Sequence, residues 1–111
     1  MIRIVGLLAF AATALSFQSP VIASWETDID KMTTYAVILG RGIACGADSA
    51  TASSRVGAWM DRVFPPGSQD QKLYLPIFVQ GVQYHAQLQR NGKTPDSCAT
   101  VNRNFNSFPW P

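Results

Sequence analysis

The sequence predicts an all-α fold: a small helical bundle of three main helices and a short C-terminal helix, stapled by one disulfide, Cys45–Cys98. Three observations predict it. Apolar residues recur at alternating three- and four-residue spacing in successive stretches, which is the period of one helix face. Capping and turn residues separate those stretches, and no stretch alternates with the period of a strand. The chain has 2 cysteines, and its beginning reads as an export signal.

Residues 1–23 have the three parts of a secretory signal peptide. Arg3 supplies the positive charge, Ile4–Phe17 is an apolar run, and Val21-Ile22-Ala23 is a small-residue cleavage site. The apolar run is shorter than the ~20 residues a membrane-spanning helix needs. Cleavage after Ala23 leaves one helical domain over 24–111, expected in a periplasm or outside the cell. In such an oxidising compartment two cysteines pair, and here the pairing is unambiguous. Closing so long a loop stabilises a chain by about 4 kcal/mol in the loop-entropy model. A domain of this size buries a modest share of its surface, so that contribution matters.

The first predicted helix runs from Thr27 to Cys45. Trp25, Ile29, Met32, Ala36, Leu39 and Ile43 form its apolar stripe, and Gly46 suits a left-handed C-cap. Ala36, Gly40 and Ala44 lie four apart and form a shallow groove of small side chains. Such a groove admits a second helix at close range, either from the same domain or from a partner.

The second helix spans Asp48–Phe64, with Ala52, Val56, Trp59 and Val63 on one face and Met60 and Phe64 alongside. Asp48 or Ser49 caps it, and Pro65-Pro66-Gly67 ends it. The third starts at Ser68, where Ser68-x-x-Gln71 is a capping box. Its apolar face is expected to run Tyr74, Ile77, Phe78, Gly81, Tyr84, His85, Leu88, and Pro76 is expected to kink one continuous helix. Asn91-Gly92 ends it. The short fourth helix is expected to start at Thr94-Pro95, with Cys98 in its first turns and Val101 and Phe105 on its inner face. Residues 106–111, with a proline on each side of Trp110, are expected to be an extended aromatic tail.

Charge excludes several functions. With Arg3 removed, 8 basic residues face 7 acidic ones. That is neither a nucleic-acid footprint nor a polybasic membrane binder. His85 is the only histidine, and no spacing links it to Ser53, Ser54, Asp61 or Asp70 as a nucleophile–base–acid set would require. Cys45, His85, Cys98 and Asp96 lack the paired-ligand spacing of a zinc site. No cofactor and no metal is expected, and the chain reads as non-enzymatic. The expected role is an accessory or binding protein for another exported or envelope protein. The candidate partner-binding residues are Ala36, Gly40 and Ala44 in the groove and Phe105, Phe108 and Trp110 in the tail.

Three further readings stay open. The layout resembles that of small exported acid-stress chaperones of the HdeA type, in its short mature chain, all-helix pattern, single wide disulfide and Ser24-Trp25 start. The resemblance implies a protein that exposes apolar surface on acidification. In that family the first cysteine lies near the mature N-terminus, whereas Cys45 closes a long helix. An immunity or inhibitor protein, or a minor hydrolase using His85, also fits the layout.

Overall fold

The computed structural model describes residues 28–111. The chain divides into two units, Met1–Asp30 and Lys31–Pro111. In the first, residues 28–30 are described and are helical; the stretch expected to be a signal sequence, the expected cleavage site and Trp25 lie outside the described residues. The second unit holds the fold. Among the described residues all regular structure is helical: α1 (28–44, of which 31–44 belong to this unit), α2 (Ala50–Val63), α3 (Gln69–Arg90) and α4 (Cys98–Ser107).

The helix ends follow from local chemistry. Gly46 takes φ +79° after α1; its N–H donates to the Ile43 carbonyl at 3.2 Å, and the Ala47 N–H donates to Gly42 at 2.9 Å. This is a Schellman motif, and it satisfies two carbonyls that the helix leaves unpaired. Gly92 ends α3 in the same way, with φ +68° and the Lys93 N–H donating to Leu88. At the start of α3, Ser68 Oγ accepts from the Gln71 N–H at 3.1 Å. The Gln71 side chain does not return the bond. Its Nε2 donates to Asp61 Oδ1 (2.8 Å) and to the Phe64 carbonyl (2.9 Å), which ties α3 to the end of α2.

Pro76 sits inside one continuous α3. The start of α4 differs from the sequence expectation. Ser97, not Thr94, is its N-cap and accepts from the Thr100 N–H. Thr94 is held by Gln89 instead, whose Nε2 also donates to the Asp96 carbonyl. That side chain fixes the 94–96 loop outside the helix. At its other end α4 continues to Ser107, so Asn106 and Ser107 are helical and the extended tail starts at Phe108.

α1 and α3 pack side by side in the same direction: Ala36 lies against Gly81, and one turn later Gly40 lies against Val82, His85 and Ala86. The core comprises Met32, Tyr35, Ala36 and Leu39 of α1, Ala52, Val56, Trp59 and Met60 of α2 with Phe64 after it, Ala86 of α3, and Val101 and Phe105 of α4. Burying the larger of these, such as Met32, Leu39, Val56 and Phe64, stabilises a fold by about 1.5–3 kcal/mol each.

Candidate binding surfaces

The small-residue groove is filled by the chain's own third helix. Ala36 and Gly40 are buried, and Ala44 is half-buried. A methyl group at Gly40 would run into the Val82 carbonyl oxygen and come within 2.9 Å of the Ala86 nitrogen. Backbone therefore rests on backbone, the close approach that small residues permit. Of the two occupants the sequence allows for this groove, it is the same-domain helix that lies over Ala36 and Gly40.

The aromatic tail is also turned inward. Phe105 is buried with its ring against Gly42, where any side chain would collide with it. Trp110 folds back so that its Nε1–H donates to the Phe105 carbonyl at 3.2 Å. Its ring centroid lies 5.1 Å from Phe105, 4.7 Å from Phe108 and 6.1 Å from Tyr35. Tyr35 in turn meets Trp59 edge-on at 5.0 Å. Arg55 of α2 holds the tail from the other side, donating to the carbonyls of Pro111 (2.7 Å) and Trp110 (3.2 Å). Phe105, Phe108 and Trp110 thus close the open end of the bundle, with Phe105 buried and Phe108 and Trp110 half-buried. Burial pushes the Tyr35 phenol up, with the nearby Arg62 charge opposing it.

Cys45 and Cys98 form the disulfide, with Cα atoms 5.3 Å apart across a separation of 53 residues. The junction carries two more ties. Asn102 Nδ2 donates to the Cys45 carbonyl at 3.4 Å, and Arg41 approaches Asp96 at 3.7 Å. The Arg41–Asp96 pair is partly exposed, where such pairs add ~1 kcal/mol at most. Both sulfurs are committed to one another, so neither serves as a thiolate ligand.

His85 lies on the α1-facing side of α3, edge-on to Tyr84 at a centroid distance of 5.1 Å. Its Nδ1 is buried without a hydrogen-bond partner. Burial, and then the Arg41 charge, hold its pKa below the usual 6.5. Among the described residues no three His, Cys, Asp or Glu side chains come together to hold a metal.

No protein family model, curated protein or solved structure matches this chain.

Two surfaces that sequence reasoning missed remain, both on α3. Its apolar face was expected to include Ile77 and Tyr84 as core. They are 48% and 60% exposed, and with Leu73 (56%) they form one outward stripe at spacings of four and seven. The core-facing side keeps Tyr74, Phe78, Gly81 and His85 as expected and adds Val82 and Ala86. Leu75 and Val79 lie on a third side, along a cleft that separates α3 from α2. Ile43, expected in the core, also opens onto this cleft and is 38% exposed. A signal was available: Leu73–Gln89 contains no Asp, Glu, Lys or Arg. A helix face meant for water ordinarily carries charge.

Proposed function

We propose that this protein is a small, exported, non-enzymatic binding protein that recognises another exported or envelope protein through the outward face of α3. The observation that carries this reading is the combination of exposure and charge depletion on one helix. Leu73, Ile77 and Tyr84 are each about half exposed, in a stretch without a single fixed charge. The centres of protein–protein interfaces are depleted of charged residues and enriched in aromatic ones. Helical recognition surfaces present anchors at one-turn and two-turn spacing, as Leu73, Ile77 and Tyr84 do. The flanking Gln80 and Gln87 keep the face soluble without adding charge to desolvate on binding.

Export is supported by Arg3, the Ile4–Phe17 apolar run and the Val21-Ile22-Ala23 site. A disulfide between Cys45 and Cys98 suits the oxidising compartment that export implies. His85 packs edge-on to Tyr84 and against Gly40 of α1, as a structural histidine does, which supports a non-enzymatic role.

Affinity capture from an envelope extract of the source organism tests the reading. The intact protein retains a partner, and Ile77→Asp and Tyr84→Asp lose it while remaining folded by circular dichroism, because about half of each side chain already faces water. Capture that survives both substitutions refutes this choice of face.

A further inference from the structure

We propose that the cleft between α2 and α3 is a binding site for a small, uncharged, predominantly apolar molecule. The cleft has a volume of about 280 Å³. That is just below the roughly 300–1,000 Å³ typical of ligand pockets, which suits a small ligand. Leu39 and Met60 form its buried floor, while Ile43, Leu75 and Val79 rise around the opening. Single exposed apolar residues scattered over a surface need no explanation, but several converging on one concavity do.

Gly57 is the second, independent observation. It lies in the middle of α2 on the cleft wall. Glycine there is a poorer helix former than alanine. Gly40 and Gly42 accept a similar cost because another element rests on them. Gly57 has no such reason: a side chain there would meet nothing within 4 Å among the described residues, and its φ is not positive. What its missing side chain preserves is the empty volume of the cleft.

The lining sets the class of ligand. It contains no charged side chain. A cation or anion entering would give up hydration without gaining a counter-charge. Ser53 and Gln83 supply a hydroxyl and an amide, enough to meet one neutral polar group. The ligand is therefore a neutral alkyl or aryl molecule with at most such a group, of the kind represented by a medium-chain alcohol. The site is separate from the Leu73–Ile77–Tyr84 face, which lies on another side of α3.

Titration with phenylnaphthylamine, a neutral apolar fluorophore, tests this on the whole protein. Wild type gives saturable enhancement at one site, and decanol displaces the probe. Gly57→Leu fills the cleft and weakens binding about ten-fold or more, while its Tm stays equal or rises because leucine is the better helix former. Ser53→Leu, at the cleft wall on an exposed position, gives the same loss should Gly57→Leu fail to fold. Ile77→Gln, outside the cleft, leaves binding unchanged. Absence of saturable binding by wild type overturns the proposal. So does undiminished binding by folded Gly57→Leu, or an equal loss in Ile77→Gln, which would mark diffuse adsorption to the outer face.

Discussion

The carbonyl oxygen of Val82 occupies the space a side chain at Gly40 would need. Two effects then oppose each other in Gly40→Ala. Helix propensity alone would stabilise the variant by about 1 kcal/mol. Overpacking against rigid backbone costs roughly 1–3 kcal/mol. Packing wins, because the two nearest obstacles, the Val82 carbonyl oxygen and the Ala86 nitrogen, are main-chain atoms that cannot rotate away. Urea denaturation is expected to show a lower midpoint for Gly40→Ala. A higher midpoint would mean that α1 and α3 are not in backbone contact.

The disulfide closes 53 residues. The double variant Cys45→Ala/Cys98→Ala is expected to lose about 4 kcal/mol on the loop-entropy account. Chemical denaturation with and without reductant measures it. A loss below ~1 kcal/mol would mean that the remaining ties at that junction, Asn102 to the Cys45 carbonyl and Arg41 to Asp96, already restrain the two helices.

Trp110→Ala removes the ring that bridges Phe105, Phe108 and Tyr35. Full burial of a tryptophan would make the cost about 3–5 kcal/mol. Trp110 is half-buried, so roughly 1–3 kcal/mol is expected, with a visible change in near-ultraviolet circular dichroism as Tyr35 loses a neighbour. Removing 108–111 should be worse than the single substitution, since Arg55 then loses both its carbonyl acceptors.

His85 makes stability depend on pH with a definite sign. Its folded pKa lies below the unfolded 6.5, first through burial and then through Arg41. The unfolded chain therefore binds the proton more readily. The stabilisation is complete above pH 6.5 and is lost as pH falls through the depressed folded value. Thermal melts across that window should show a decline that His85→Gln flattens. A chaperone triggered by acid would need this decline to reach unfolding, with apolar dye binding rising in step.

Much of the fold is legible in the sequence because local chemistry and packing agree. Gly46 and Gly92 end helices where Cys45-Gly46 and Asn91-Gly92 say they should, and Ser68 caps α3 as its spacing requires. Cys45 and Cys98 had no other partners to choose. The tail was harder to read, because a row of aromatics looks the same whether it is offered or folded back. What decides is the Arg55 clamp, 55 and 56 residues distant in sequence. The two faces of α3 were missed for a related reason. Periodicity shows that Leu73, Ile77 and Tyr84 share a side, but not which side the bundle takes. Gly81 and Ala86 settle it by letting α1 approach, and small residues give a weak hydropathy signal. Gly57 carries no signal of its own in sequence, since its meaning lies in what is not beside it.

The position of the disulfide also governs how the second unit bears load. Cys45 follows α1 directly and Cys98 opens α4, so α2 and α3 lie within the covalent ring while α1 and α4 lie outside it. Tension applied at the two ends of this unit runs from α1 across the sulfur bridge into α4. The helices inside the ring stand outside that path of force.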